Sequence, residues 1–470
     1  HASVIYRIKS VVYATGHSRG AANGKASGTT FSTAPNAADD NVANLPDVEM
    51  NWTPTRDAAL TRLAQFAPRA GQPYRAGRNE DRGPGHHQTV SGLSPYLRHR
   101  LLLDQEVLQA VISRHDLDTA AKFIDEVFWR SYFKGWLEHH PDVWTNYIKD
   151  CTRLRRTVAD DKTLRAAYSD AIYARTGIAP FDAWVRELRA TGYLHNHARM
   201  WFASIWIFTL GLPWQLGAQW FHYHLLDGDA ASNTLSWRWV AGLHTRGKTY
   251  LARSDNIRRY TAQRFAGESG PDSFAGLERL ASIAPALTED PAVTRQQTPN
   301  WPEYSAPRSG GRVGLLLHDE DMSLQAPVQP VAVGMLAPQR VGRRRAARQV
   351  SRFGLKAASS TLATAKHTLS LQTSAELLRT RTATQRWLQH AKLDRLVVPY
   401  VPRGPSFQRM QWVLDQAAEL GIETEVFMWD IDRAAWPHAR QGFFALRKHI
   451  PDILQHLDIT TPRQADLLPT

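Results

Sequence analysis

The chain has 470 residues, 43% hydrophobic and 21% charged, with 57 lysines and arginines against 44 aspartates and glutamates, a net charge of +13. That size and mix are ordinary for a soluble globular protein of two or three domains, and the basic balance points to an anionic partner, most commonly nucleic acid, against the alternative of a basic surface with no polyanion partner. Cys151 is the single cysteine, which excludes an intramolecular disulfide and a four-cysteine iron–sulfur cluster and suits a reducing compartment.

Residues 1–55 are rich in Gly, Ala, Ser, Thr, Asn and Asp and read as a flexible tail. The chain begins at His1, so a targeting signal upstream of it would not be seen. Thr55–Phe66 has a short helical pattern, followed by a Gly/Pro/Arg-rich loop through Gly85. From Gly92 to Tyr260 the apolar period is helical: Leu93, Leu97, Leu101 and Leu108, then Phe123, Val127, Phe128 and Tyr132. The most apolar stretch, Trp201–Leu212, is ended by Pro213, well short of the ~20 residues a membrane span needs, so no membrane partner is expected. Residues 56–265 are therefore expected to form a helical domain, and 266–312 a Pro/Ser/Gly-rich linker.

Beyond 312 the pattern changes. Val313–Leu317, Val331–Leu336, Leu396–Tyr400 and Glu425–Trp429 are short apolar runs that read as buried strands. Helical segments lie between them, notably Phe407–Leu420 with Gly421 as its C-cap. The alternation predicts a smaller α/β domain with a parallel sheet over residues 313–460. The run Gly342–Arg348, GRRRAAR, reads as an exposed basic loop.

Four segments of the helical region carry chemistry. Ser91–Leu97, SGLSPYL, opens a helix with Pro95 near its first position; a plain cap competes with a hydroxyl- and amide-rich phosphate site. Glu126–Pro141 places Glu126 and Arg130 at i,i+4 with Trp129 nearby, either a surface ion pair or a pocket for a flat polar aromatic ligand. Gly192–Met200, GYLHNHARM, sets Asn196, Arg199 and Met200 within one turn; its two histidines have no zinc-site spacing, and no metal is expected. His224–Gly242 combines Asp227 and Asp229 with Asn233, Trp237 and Trp239, a set suited to an isoalloxazine ring and its ribityl chain. Most of the sixteen tryptophans fall between Trp129 and Trp239, where core packing competes with ring stacking and electron transfer.

In this order, over roughly Tyr74 to Tyr260, these segments resemble the FAD-binding domain of DNA photolyases and cryptochromes; the third and fourth are the most diagnostic. The resemblance implies FAD as cofactor, with Ser91, Leu93 and Ser94 at its phosphates or ribityl, Arg130 and Arg199 along the folded cofactor, and Arg199 paired with Asp227. It further implies Asp227 and Asp229 at the ribityl, adenine or flavin edge, Asn233 at flavin N5, and Tyr74 as a looser match upstream. Glu126, Trp129, Asn196, Met200 and Trp239 match the lesion pocket of cyclobutane-dimer photolyases. Six-four photolyases carry histidines where this chain has Asn196 and Met200. The electron relay begins at Trp237 and continues through Trp214. Its third tryptophan has no match near Asp161, and Tyr168 or Tyr173 would have to substitute.

The family places its α/β domain before the helical one; here an α/β-like region follows it. VGLLLHDEDMSLQ and DRLVVPYVPRGPSFQRMQWVLDQAAELGIETEVF resemble parts of the family's opening domain, which implies a circularly permuted order and leaves the antenna chromophore unknown. The implied activity is light-driven repair of pyrimidine dimers in DNA by electron transfer from reduced FAD, in a cytoplasmic monomer (nucleoid-associated if bacterial). The alternative is a cryptochrome-like blue-light receptor that binds FAD without repair.

Overall fold

The computed structural model describes residues 52–459 except 246–247, 263, 266–273, 275–276, 278–286, 300, 303–309, 339–345 and 374. Residues 1–51 of the expected tail, much of the expected linker, and Gly342–Arg345 of the basic run lie outside the described residues.

Thr55 opens the first helix, its hydroxyl accepting from the Ala58 amide, and α1 runs Arg56–Phe66. Then follow α2 (Gln72–Gly77), α3 (Ser94–Arg98), α4 (Asp104–Ile112), the long α5 (Leu117–His139) and α6 (Pro141–Asp160). Next come α7 (Lys162–Ile172), α8 (Ala179–Thr191), α9 (Asn196–Ser204), α10 (Trp214–His224), α11 (Ala230–Val240) and α12 (Ser254–Tyr260). No strand interrupts them among the described residues, in keeping with the helical period. Helices α10 and α11 approach closely because Gly217 has no side chain: a Cβ there would stand 2.3 Å from the Trp237 ring.

The second region is a five-stranded parallel sheet. Its strands are β1 (Val313–Leu317), β2 (Ala332–Leu336), β3 (Ala375–Leu378), β4 (Arg395–Pro399) and β5 (Glu423–Phe427), in spatial order β3-β2-β1-β4-β5. Helices α13 (Arg348–Thr368), α14 (Arg381–His390) and α15 (Phe407–Glu419) make three of the four parallel crossovers, while residues 318–331 join β1 to β2 without a helix. Gly421, at φ +71, closes α15, with Ile422 donating back to the Ala417 carbonyl. Three expected strands shift by one to two residues, since register with a neighbour sets their ends: Arg395 pairs with Glu423 and Pro399 with Phe427. Strand β3, AELL, was not expected. Its Ala and Glu are poor strand formers, and its place at the sheet edge leaves only its end residues buried.

The chain ends, within the described residues, in three short helices, α16 (Asp430–Ala435), α17 (Phe443–Arg447) and α18 (Ile450–His456), which return to pack on α5. Gly135 permits this: a Cβ there would meet the Trp436 backbone at 2.9 Å. One face of the sheet (Val313, Leu315, Leu317, Val333, Met335, Val397) shares a continuous apolar core with α1, α4, α5 and these last helices. The opposite face (Leu316, Leu336, Val398) packs under α14 and α15. A separate tryptophan-rich core lies within the second half of the helical region.

Candidate functional site

The turn between α10 and α11, Asp227-Gly228-Asp229, is gripped from three directions. Ser94 donates its hydroxyl to Asp227 Oδ2 at 2.6 Å, and one turn later Arg98 Nε donates to the Gly228 carbonyl at 2.7 Å. Arg199, on α9, reaches the same Asp227 oxygen at 2.8 Å. Helix α3 is a single turn, too short for much of a macrodipole. What Ser94 contributes is this bond, while Ser91 accepts from the Leu93 amide at 3.3 Å.

Asp229 caps α11, its Oδ1 accepting from the Ser232 amide at 2.8 Å, and its Oδ2 lies 3.0 Å from Lys134 Nζ. Burial opposes ionisation of Asp229, but Lys134, Arg130 and Arg98 outweigh it and hold the carboxyl well below the usual carboxylate range. Arg130 itself is unpaired. All three of its guanidinium nitrogens are buried without a hydrogen-bond partner, as are Asp227 Oδ1 and Ser232 Oγ. Folded proteins rarely leave such groups unmatched, and a buried guanidinium beside acceptors and hydroxyls suits an anionic, hydroxyl-bearing ligand such as a dinucleotide.

Downstream on α11, Asn233 donates from Nδ2 to the Ala218 carbonyl at 2.7 Å, which fixes the plane of its amide. Trp237 is buried and makes ring contacts with Phe221 at 5.1 Å and Trp206 at 6.2 Å. Trp206 in turn touches Tyr168 at 5.8 Å. Trp214 stacks on Tyr147 at 5.7 Å, and Tyr147 adjoins Trp144 at 5.4 Å.

The expected lesion pocket is only partly drawn together by direct contacts. Glu126 does not pair with Arg130. Its partner is Arg78, at 2.6 Å, because α2 packs across α5 and presents a nearer guanidinium than the helix's own next turn. Burial pushes the Glu126 carboxyl up, against the pull of Arg78. Tyr74 is buried between Phe66 and Phe123 with its hydroxyl beside Glu126 and Arg78, so here it belongs with the carboxyl. Asn196 is exposed at the start of α9, its amide 4.0 Å from Met200 Sδ. Trp239 stacks on Tyr250 at 5.6 Å. Trp129 lies against Phe443, from the far end of the chain.

Sequence reasoning passed over Lys134, Arg78, Trp206 and Phe443. Lys134 carried a signal, standing one turn beyond Arg130 in the segment already singled out. Trp206 stood within the tryptophan cluster between Trp129 and Trp239, though nothing set it apart from the others; Arg78 and Phe443 come from distant segments, and nothing local marks them. Among the described residues no helix is long and apolar enough to cross a membrane.

Residues 123–268 match the family model described as the FAD binding domain of DNA photolyase. The chain is similar to the deoxyribodipyrimidine photo-lyase of Agrobacterium fabrum, 32% identical over 194 residues, covering 41% of this chain and 39% of that one. It is also similar to that of Streptomyces griseus, 30% identical over 223 residues, covering 44% and 47%. The chain thus spans less than half the length of these relatives. A solved bacterial class III photolyase from Agrobacterium tumefaciens is 25% identical, with 53% of this chain and 56% of that one covered and a TM-score of 0.38.

Proposed function

Since the chain belongs, through residues 123–268, to the DNA photolyase/cryptochrome family and carries its FAD-binding domain, we propose that it repairs cyclobutane pyrimidine dimers in DNA, driven by blue light. Both relatives named above are photo-lyases acting, by name, on dipyrimidines. The observation that carries the reading is the unpaired Arg130 guanidinium beside the Asp227–Asp229 turn, which together with Asp227 Oδ1 and Ser232 Oγ is buried without a partner and fits FAD.

Bound FAD would supply the light-driven one-electron chemistry. The chain's own part is positioning. Arg130 would hold the pyrophosphate; Ser94 and Arg199 fix Asp227, and Lys134 fixes Asp229, so that both carboxylates stand ready for the cofactor's hydroxyl and ring N–H groups. Asn233, its Nδ2 held by Ala218, would present its amide edge to flavin N5. A flipped-out dimer would meet Glu126, held by Arg78, at a base edge, and would stack near Trp129 and Trp239 with Asn196 and Met200 alongside. The basic charge of the chain would draw in the DNA backbone in a salt-sensitive way.

The α/β region over 313–460, following the helical domain of 56–265 and the linker of 266–312, would be the family's opening domain in permuted order, acting in a monomer. One observation favours the second reading, a light receptor without repair: a face of Trp129 is taken by Phe443. The test is an absorption spectrum of the purified protein, followed by dimer repair measured in light and in darkness. Repair in light alone supports the enzyme, whereas bound FAD with no repair of single- or double-stranded substrate favours the receptor. A protein that takes up no FAD defeats both.

A further inference from the structure

Strand β1 ends in a run of charge, His318-Asp319-Glu320-Asp321, at the carboxyl edge of the sheet where β1 lies between β2 and β4. In open parallel sheets that edge is where the crevice for a ligand forms. Here the helical region fills it. Arg98 reaches Glu320 at 3.0 Å and Asp319 at 3.3 Å, and Arg100 reaches Asp321 at 3.1 Å. Lys134 Nζ stands 2.7 Å from Glu320 Oε2 and 3.0 Å from Asp229 Oδ2. Lys134 is 4% exposed, Asp229 4% and Glu320 5%. One buried ammonium is therefore shared between a carboxylate of the α/β region and a carboxylate of the turn that faces the unpaired Arg130.

We propose that the α/β region completes the cofactor site: Glu320 anchors Lys134, Lys134 fixes the Asp229 carboxylate for FAD, and FAD binding is thereby coupled to the seating of the α/β region on the helices. The proposal rests on the reading of Asp229 as an FAD-facing residue. Asp229 Oδ1 is held by the Ser232 amide, but lysine has four rotatable bonds, and an ammonium held from one side only would leave Oδ2 a mobile partner. Held from both sides in a dry interior, the ammonium is a fixed one. Arg98 couples the same elements by a second route, since it bonds both the Gly228 carbonyl inside the turn and the Glu320 carboxylate. The coupling is reciprocal by necessity: whatever Glu320 adds to FAD affinity, FAD adds to the docking of the loop that carries Glu320.

The full chain, stripped of cofactor, is titrated with FAD and followed by quenching of flavin fluorescence. K134M is expected to weaken FAD binding about tenfold or more, and E320Q, in the other region, to weaken it measurably. K134M and E320Q should be non-additive when combined, since both cut the same link. A merely structural ion pair would lower the melting temperature of the apoprotein without moving the FAD dissociation constant of the folded fraction. A second measurement needs no variant: hydrogen exchange on wild type should show amides 318–323 slowed when FAD is added. Equal FAD affinity in wild type, K134M and E320Q, or unchanged exchange at 318–323 on FAD binding, overturns the coupling while leaving the cofactor reading intact. A wild-type chain that binds no FAD overturns both.

Discussion

The indole of Trp129 lies flat on the ring of Phe443, centroids 3.9 Å apart and planes 12° from parallel, although 314 positions of sequence separate the two. Phe443 is buried while its neighbour Phe444 is 72% exposed, so Phe443 faces inward and Trp129 is the outer ring of the pair. If Trp129 is the stacking wall of a lesion site, Phe443 is its backing. F443A should cost about 3 kcal/mol of stability as a large-to-small core change. It should also weaken binding of dimer-containing DNA, by competition against undamaged DNA, through a loosened Trp129. Tighter binding by the variant would mean that Phe443 covers the face a lesion needs.

Glu126 and Trp129 can be separated from cofactor retention. E126A removes one hydrogen bond to a base edge, and W129A removes a stack, each worth about 1–3 kcal/mol of lesion binding. Both variants should stay coloured while light-dependent repair falls, and W129A should also lose its preference for damaged DNA. Full repair by E126A would remove that carboxyl from the site.

Electron supply to the cofactor should pass through Trp237 and then divide. One branch would follow the ring contacts from Trp237 through Trp206 to Tyr168; the other would use a second ring chain, from Trp214 through Tyr147 to Trp144. W237F should slow photoreduction with an external thiol donor strongly, while W206F and W214F each slow it in part. Bleaching of the bound chromophore under blue light measures the rate. A wild-type rate in W237F would place the relay elsewhere.

Buried neutral histidines should make the fold acid-sensitive well above the carboxylate range. Burial pushes His99 down to about 4 and His224 to about 3, and it also lowers His195. An imidazole whose folded pKa lies below its unfolded value of about 6.5 takes its proton more readily in the unfolded chain. Stability is therefore full above that value and drains as pH falls from about 6.5 toward about 4. Three such groups remove up to about 4 kcal/mol between pH 6 and pH 5. Thermal melts at pH 7, 6 and 5 should show the decline, and a melting temperature flat down to pH 4 would contradict it.

D229N should release FAD more readily than wild type, because the amide no longer holds Lys134 by charge and leaves that ammonium buried beside one carboxylate where it had two. Equilibrium dialysis against free FAD gives the comparison, and retention equal to wild type would take Asp229 out of the cofactor's reach.

The sequence by itself determined the helical character of the first region, because apolar residues at helical spacing leave one way to bury a face. It also determined four of the five strands, as short buried runs between helical segments, and the grouping of Asp227, Asp229, Asn233 and Trp237, which lie within three turns of one another. Tertiary structure alone decided the partners. Glu126 takes Arg78 from another helix over Arg130 on its own, Lys134 meets Glu320 across 186 positions, and Trp129 meets Phe443 across 314. Local pattern reports which face of an element is buried. Which side chain arrives on the other side depends on how the elements are stacked, and charge and ring contacts fall off within a few ångströms, so they carry no trace in the spacing of the residues that make them.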